Sequence, residues 1–393
     1  MSEPGERPRT EALSVNDANQ DRIGVLLVNV GTPEGTSFRE VRRYLREFLW
    51  DRRVIEVSRP VWWFIMNAII LNTRPQRSGR VYARIWNREL DESPLKTITR
   101  NQCHNVAAAF GDRAGILVDW AMCYGSPSIE QKIHKLQEEG CGRILLFPLY
   151  PQYTATTTAA VQDKAFDILK TMRWQPAIRT VPAFPDHPMY IDALIESLRS
   201  YLSRLDWEPD LVLASFHGLP TNYVERGDPY YRHCLRTVQG MVQRLGWDPS
   251  RLQAVFQSRF GREEWLQPYA EETVRELAVS GVKNLVVITP GFVADCLETL
   301  EEVALEMKET FLEHGGHQFG TVPCLNEGQA VVRLLVELVH NELAGWLVPE
   351  ADLETRLDEQ LTPATLFTPF EVQAAVLPEH PPRYISPVHA VRI

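Results

Sequence analysis

Eight short runs of apolar, often β-branched residues alternate along the chain with longer segments in which apolar residues recur every three or four positions. The first pattern is typical of buried strands and the second of amphipathic helices. Their alternation predicts parallel sheets whose strands are joined by crossover helices. The predicted strands are 24–30, 115–122, 143–149, 178–182, 210–216, 252–257, 283–289 and 319–323.

The predicted strands divide into two sets of four with similar sequences at corresponding ends. Asn-Val-Gly-Thr-Pro at 29–33 matches Phe-His-Gly-Leu-Pro at 216–220, and Val-Pro-Ala at 181–183 matches Val-Pro-Cys at 322–324. We therefore predict an α/β protein of two doubly wound, Rossmann-like domains, each with a four-stranded parallel sheet. The predicted units are a disordered tail at 1–21, domains at 22–186 and 187–348, and a proline-rich extension at 349–393. We expect the last helix of the second domain to pack back on the first.

Composition excludes several classes of function. The formal charge of −10 argues against a nucleic-acid partner, which requires a basic face. Six cysteines without paired spacing suggest neither a zinc motif nor a disulfide framework, and they fit a reducing cytoplasm. The first twenty residues have no apolar stretch, so no signal peptide is predicted. The composition makes no prediction of oligomeric state.

A row of carboxylates follows the seventh predicted strand. The spacings of three, four and four residues place these side chains on one face of a helix. Like charges so arranged repel, so the row requires a cation, a proton relay or plain solvation by water. The row consists of Asp295, Glu298, Glu302 and Glu306.

A histidine, His217, ends the fifth predicted strand, and the segments 150–153 and 257–259 also follow strand ends. In open parallel sheets, ligands bind beyond the carboxyl ends of the strands. This coincidence favours a binding site over a merely solvated acidic helix. An imidazole can bind a divalent metal or accept a proton at neutral pH. One histidine and one carboxylate make a sparse site, which suits a metal that is held loosely and passed on.

The run 61–71 is too short to span a bilayer, but it places Trp62 to Met66 in succession. It fits either core packing or an apolar lip that faces a substrate or a membrane surface. Arginines at 74, 77, 80 and 84 follow it. They suit a large flat ligand with carboxylates at its edge, or a solvated helix face. Neither a dinucleotide-binding glycine pattern nor a Walker sequence is present, so we expect no nucleotide cofactor.

Five motifs, in order, closely resemble those of the ferrochelatases, which insert ferrous iron into a porphyrin. The resemblance spans about 24–346. The motifs are LLVNVGTP at 26–33, YPQYTATTT at 150–158, SFHGLP at 215–220, FQSRFG at 256–261 and PGFVADCLETLEE at 290–302.

The resemblance implies the chelatase fold and a set of roles. His217 would accept pyrrole protons or ligate iron, and Glu298 would face it as the other metal-binding residue. Asp295, Glu302 and Glu306 would form an acidic path. Arg74, Arg77 and Arg84 would lie near the porphyrin propionates, and Tyr153 is a further substrate-binding candidate. Ferrous iron would be a substrate, and no permanently bound cofactor is implied.

Three positions depart from family patterns. Ala155 stands where animal members have a cluster-binding cysteine, and no cysteine follows Cys324, so we expect no iron–sulfur cluster. Cys296 stands where the animal ferrochelatases have a histidine. Val30 stands where some relatives have Met or Tyr near the metal. We predict a protoporphyrin ferrochelatase of the cytoplasm, with peripheral membrane contact left open. The alternatives are a chelatase for coproporphyrin or cobalt, and a non-catalytic tetrapyrrole-binding protein.

Overall fold

The computed structural model describes residues 22–111, 115–261 and 263–347. The predicted tail at 1–21 and extension at 349–393 lie outside these ranges. All eight predicted strands are present, with ends that differ by a few residues from the prediction. They are β1 (Arg22–Gly31), β2 (Ile116–Tyr124), β3 (Cys141–Pro148), β4 (Ala177–Thr180), β5 (Leu211–His217), β6 (Leu252–Gln257), β7 (Asn284–Ile288) and β8 (Gln318–Thr321).

The strands form two four-stranded sheets with the same plan. Their orders are β2-β1-β3-β4 and β6-β5-β7-β8, and every neighbouring pair is parallel. The prediction of two parallel, doubly wound sheets is therefore confirmed. In each sheet the strand order reverses beside the first strand of the set, which opens a crevice at the carboxyl ends of β1 and β3 and of β5 and β7.

Helices cover both faces of each sheet. Three of the helical segments have π-type hydrogen bonding. The helices of the first half are α1 (Phe38–Trp50), α2 (Arg59–Ile65), π1 (Met66–Ile70), α3 (Leu71–Ile85), α4 (Pro94–Phe110), α5 (Ile129–Glu138), π2 (Ala155–Ala159) and α6 (Ala160–Thr171). Those of the second are α7 (Pro188–Leu202), α8 (Thr221–Glu225), α9 (Tyr230–Leu245), α10 (Ala270–Ser280), π3 (Glu298–Met307), α11 (Lys308–Glu313) and α12 (Gln329–Glu342), with a short 3-10 turn at Pro249–Arg251.

Local sequence explains several helix starts. Ser37 and Ser128 begin α1 and α5 with capping boxes, in which a glutamate or glutamine three residues later bonds back to the serine backbone. Ser93 caps α4 ahead of Pro94. These contacts satisfy backbone N–H groups that a helix leaves without partners.

One hydrophobic core joins the two halves. Alternate residues of the central strands, such as Val25 and Leu27 in β1 and Val212 and Phe216 in β5, belong to the same buried cluster. The last helix, α12, packs on α4 and on β3. The other faces of the sheets form separate clusters with their own helices. Because both sheets contribute residues to this core, it holds the two crevices in a fixed position relative to each other. No helix in the described residues combines the length and apolar composition needed to cross a bilayer.

Candidate active site

His217 lies at the carboxyl end of β5, half-buried, after six buried strand residues. Its Nδ1 lies 2.7 Å from the carbonyl oxygen of Gly218. Because a carbonyl only accepts hydrogen bonds, Nδ1 carries a proton, and in the neutral ring Nε2 therefore keeps its lone pair. Tyr230 Oη donates to the carbonyl oxygen of His217 at 3.0 Å, which fixes the backbone there. Nε2 of His217 is thus available to accept a proton or bind a metal ion.

Gly218 makes the turn after His217 possible. A Cβ atom at this position would lie 2.7 Å from the Gln257 carbonyl oxygen and 2.9 Å from the Trp265 ring. Gly218 N also donates to that same carbonyl oxygen at 2.7 Å. The turn therefore packs directly against β6, and any side chain at residue 218 would displace His217.

The acidic row lies on π3, which begins at Glu298. In a helix with i→i+5 bonds, residues four or five apart are about one turn apart, so Glu298, Glu302 and Glu306 form one row. The π-helix runs for ten residues, whereas most π-helical segments are single turns at functional sites. The row runs from a half-buried end at Glu298 to an exposed end at Glu306.

Glu302 is the middle carboxylate of the row and is held by hydrogen bonds from the loop after β6. Ser258 donates to it from its backbone N at 2.7 Å and from Oγ at 2.6 Å, and Gln257 Nε2 lies 3.4 Å away. Ser258 adopts a left-handed conformation with φ of +66°, which directs both donors to one carboxylate. Sequence patterns do not signal this arrangement.

His217 and Glu298 both act electrostatically on Glu302. Burial raises the pKa of Glu302, the hydrogen bond from Ser258 and the charge of His217 lower it, and the charge of Glu298 raises it. The same carboxylate therefore interacts with both His217 and Glu298. This interaction is consistent with the sequence prediction that an imidazole from β5 and the carboxylates after β7 share one site, which stays a prediction.

Glu306 continues the row toward the surface. Burial raises its pKa, the charges of Glu301 and Glu302 raise it further, and the charges of Arg77 and Arg84 lower it. Beyond it lies an open pocket of about 430 Å³. Six carboxylates line this pocket: Glu271, Glu272, Glu302, Glu306, Glu309 and Glu313. The row thus runs from the side of His217 to this pocket, which we call the acidic mouth.

Asp295 precedes π3 and is not on the helical face that the sequence predicted. Its carboxylate is buried and accepts hydrogen bonds from Thr299 Oγ1 at 2.9 Å and from Asn326 Nδ2 at 2.7 Å. Asp295 N also donates to Asn326 Oδ1 at 2.8 Å. These bonds tie the start of π3 to the loop after β8. The spacing of three from Glu298 resembled a helical repeat, but the helix begins only at Glu298.

Three phenols that the sequence analysis did not select for the site surround the inner end of the row. Tyr44 and Tyr82 line a cavity of about 140 Å³ together with Glu298. Burial and the negative charge of Glu298 raise the pKa of Tyr44, and burial raises that of Tyr82, with smaller contributions from Tyr44 and Glu298. Tyr150 is also raised in pKa, by burial and then by Cys123, Tyr44 and Cys296. All three phenols are neutral hydrogen-bonding groups at physiological pH.

Tyr153, the predicted substrate-binding tyrosine, interacts with a different set of charged groups. Burial and the charge of Asp228 raise the pKa of Tyr153, and Arg53 lowers it. Its backbone N donates to His233 Nδ1 at 3.1 Å. Tyr150, from the same motif, is therefore the one whose hydroxyl interacts with the Cys296 side of the site.

The predicted propionate-binding arginines lie on α3, and all three are exposed. Arg84 Nη1 bonds to Glu301 Oε1 at 2.9 Å, and the glutamate side chain is only 7% exposed. Arg77 lies close enough to Glu306 to lower its pKa. The Arg74 guanidinium lies 5.9 Å from the centre of the Phe260 ring. The row of arginines therefore runs beside π3 of the other half.

An apolar patch lies on α2 and π1. Trp63 and Phe64 are 57% and 62% exposed, and Val61 and Ile69 are more than half exposed. Trp62 and Met66, in contrast, are buried in a small cluster with Leu49. The run 61–71 therefore combines the two predicted alternatives. Some of its residues pack in the core, and others face outward.

Comparison with known proteins identifies the family. The family model described as Ferrochelatase matches residues 22–343. The chain is 57% identical over 326 residues to a ferrochelatase of Rhizobium meliloti (strain 1021), which covers 83% of this chain and 96% of that protein. It is 54% identical to a ferrochelatase of Allorhizobium ampelinum, over 88% of this chain and 98% of that one.

Among solved structures, SirB from Bacillus subtilis with Fe3+ matches with a TM-score of 0.49 and 11% identity. The match covers 82% of this chain and 96% of that chain, a degree of similarity from which no chemistry follows. The family match and the identities above 50%, over most of both chains, are the decisive findings. They establish that the chain belongs to the ferrochelatase family.

Proposed function

We propose that this enzyme inserts ferrous iron into protoporphyrin IX to form protohaem, with His217 as the proton acceptor. Insertion of Fe²⁺ releases the two pyrrole N–H protons, so the site needs a base beside the ring and a route for the metal. The observation that carries the proposal is the free Nε2 of His217 beside an acidic row that leads to the surface.

Glu298 is proposed as the metal-binding residue that faces His217. Glu302 and Glu306 then form the path that joins the site to the acidic mouth, along which a cation is attracted. Asp295 supports this path by fixing the start of π3. Carboxylates suit Fe²⁺ when the ion must be passed on rather than retained.

Arg74, Arg77, Arg84 and Tyr153 are proposed to bind the porphyrin at its edge. Arg74 and Arg77 are exposed on α3, so their guanidinium groups are accessible to the two propionates. Arg84 shares its guanidinium with Glu301, so its contact with a propionate uses the remaining N–H groups.

Anaerobic ferrous insertion, followed by absorbance, tests the proposal with protoporphyrin and coproporphyrin as competing substrates. We expect a higher kcat/KM for protoporphyrin than for coproporphyrin. Glu298→Gln keeps the shape of the side chain but removes its charge, and we expect it to lower kcat/KM by roughly 100-fold or more. Preference for coproporphyrin, or full activity of Glu298→Gln, would overturn the respective assignment.

We also propose that the enzyme holds no iron–sulfur cluster. Ala155 is the first residue of π2, where cluster-containing relatives have a cysteine, and its backbone N is bonded to Asp228. The six cysteines are buried and unpaired. Purified protein should contain no acid-labile sulfide, and stoichiometric sulfide with visible absorption would contradict this.

We further propose that the enzyme works in the cytoplasm and contacts a membrane surface peripherally, and the exposed apolar patch supports the membrane contact. Trp63 and Phe64 project outward from α2, and Arg59, Arg74 and Arg77 lie on the same or the next helix. Aromatic side chains and arginines together suit the interface of an anionic bilayer. Sedimentation with anionic vesicles should bring down the unmodified protein and less of the Trp63→Ser/Phe64→Ser variant.

A further inference from the structure

Four hydrogen bonds join the helix α9 and the turn before it to residues 152–155, which follow β3 of the first half. Gln152 Nε2 donates to Thr237 Oγ1 at 2.9 Å. Thr154 Oγ1 and Ala155 N both donate to Asp228 Oδ2, at 2.9 and 2.7 Å. The fourth is the hydrogen bond from Tyr153 N to His233 Nδ1, at 3.1 Å.

The contact with His233 differs from the others because its acceptor is an imidazole, the side chain that ordinarily changes charge between pH 5 and 8. A backbone N–H can only donate, so Nδ1 of His233 must be unprotonated and the ring proton must lie on Nε2. A protonated imidazole would place an N–H against the N–H of Tyr153. The hydrogen bond would then be lost, and a part-buried backbone amide would have no acceptor.

The same helix also reaches the proposed base. Tyr230, in the first turn of α9, donates from Oη to the carbonyl oxygen of His217. On the other side, the segment held by His233 begins with Tyr150, whose phenol interacts with Cys296 next to Glu298. The helix α9 therefore joins the backbone of His217 to the segment that packs beside Glu298.

We propose that His233 is a positioning residue for iron insertion, which holds residues 150–155 of the first half against α9 only while its imidazole is neutral. Its effect on turnover rests on the proposed function, whereas the hydrogen bond itself does not. His233 touches neither of the proposed metal ligands.

The surroundings of His233 favour the neutral ring. Burial lowers the pKa of His233, and the charge of Arg236 lowers it further. Asp186 and Asp228 raise it, and Arg232 lowers it. Arg236 is itself paired with Asp186, which offsets part of both effects. The phenol of Tyr153 completes the titratable groups on this side and is neutral at these pH values.

The direction of the pH dependence follows from the lowered pKa. The unfolded chain takes up a proton on this histidine near pH 6.5, before the folded protein does. The stabilisation is therefore complete above about pH 6.5 and is lost as the pH falls from there toward the lower folded-state pKa.

The test compares His233→Asn, His233→Ala and the control His104→Asn. The Asn side chain can place Oδ1 where Nδ1 of the histidine lies, and it accepts at every pH. His104 is exposed on α4. Thermal unfolding between pH 5 and 8 needs no substrate. We expect the midpoints of the unmodified protein and of His104→Asn to fall together toward pH 5, and those of His233→Asn to fall less.

Iron insertion is then measured over the same pH range. We expect His233→Ala to lose roughly fivefold in kcat at neutral pH, the equivalent of one hydrogen bond, with little change in KM. The ratio of His233→Asn activity to unmodified activity should rise as the pH falls. An unchanged kcat for His233→Ala, or a constant ratio, would overturn the positioning role.

Two further outcomes separate the proposals. Parallel unfolding curves for His233→Asn and the unmodified protein would overturn the hydrogen bond as a titrating contact, whatever the activity. If the variants do not fold, NMR of the unmodified protein labelled with ¹⁵N-histidine decides. One ring must then be in the Nε2–H form and remain neutral below pH 6.5. Absence of iron insertion by the unmodified enzyme would overturn the proposed function and leave the stability comparison standing.

Discussion

At the scale of single residues, the site depends on which atoms keep a free lone pair. His217 donates a hydrogen bond from Nδ1 to the Gly218 carbonyl oxygen, which leaves Nε2 without this role. Both carboxylate oxygens of Glu302 accept hydrogen bonds from Ser258. The imidazole and the carboxylate are therefore suited to different roles. The imidazole is available to a proton or a metal, and the carboxylate is fixed in place and favoured in its charged form against the effect of burial.

Removal of the Ser258 hydroxyl should make Glu302 harder to ionise. Glycine adopts the positive φ of this position without strain, so Ser258→Gly deletes Oγ and keeps the backbone donor. The pKa of Glu302, already raised by burial, should rise further. We expect roughly a tenfold loss of kcat/KM near neutral pH, which corresponds to one hydrogen bond to a charged group, with recovery at higher pH.

The pH–rate profile of iron insertion measures this effect, with the exposed Ser280→Gly as a control. A profile of Ser258→Gly that is merely lower at every pH, without a shift of its acid limb, would contradict the proposed role of the hydroxyl.

At the scale of elements, π3 is the part that organises the site. Its wide turn sets Glu298, Glu302 and Glu306 in one row, and its start is tied by Asp295 to Thr299 and Asn326. Asp295 therefore acts on the position of the helix, and its oxygens are occupied by protein donors. This distinguishes it from Glu306, which is exposed at the other end of the row.

Asp295→Asn should therefore destabilise the fold, whereas Glu306→Gln should not. An amide at residue 295 turns one acceptor into a donor facing the protein's own donors, which we expect to cost about 1–3 kcal/mol in the free energy of unfolding. Urea denaturation followed by circular dichroism measures both variants. Equal stabilities of Asp295→Asn and the unmodified protein would show that Asp295 does not hold the start of π3.

At the scale of the whole molecule, the two halves are joined across the cleft as well as through the core. Arg84 of α3 reaches Glu301 of π3, two residues that are 217 positions apart in the chain. The glutamate is buried and the arginine is largely exposed, so water screens part of this attraction. The pair fixes α3, which carries the arginines, beside the acidic row.

Arg84→Ala should lower the stability of the whole protein because it leaves a buried carboxylate unpaired. We expect the free energy of unfolding to fall by about 1–2 kcal/mol. This is less than for a fully buried pair because the arginine is exposed. The double variant Arg84→Ala/Glu301→Gln should regain most of this loss. If Arg84→Ala instead raises only the KM for porphyrin and leaves unfolding unchanged, the pair with Glu301 does not contribute to stability.

Much of this fold could be predicted from the sequence because its strands are short apolar runs with their own turn signals. His217 and Gly218 end one such run, so the position of the histidine followed from the strand alone. Contacts made by distant residues could not be predicted. No motif singled out Tyr44 or Tyr82, and Ser258 gave no sign of its positive φ or of its bond to Glu302. A spacing of four residues also fits an α-helix and a π-helix equally well.

Single-turnover metallation of enzyme with prebound protoporphyrin measures whether His217 takes protons from the porphyrin. The enzyme, or its His217→Ala variant, is mixed anaerobically with Fe²⁺, while porphyrin binding is measured separately by fluorescence. We predict that His217→Ala binds the porphyrin with nearly unchanged Kd and metallates it at least 100-fold more slowly, roughly the loss of a general base. Metallation by His217→Ala at the unmodified rate would contradict the account.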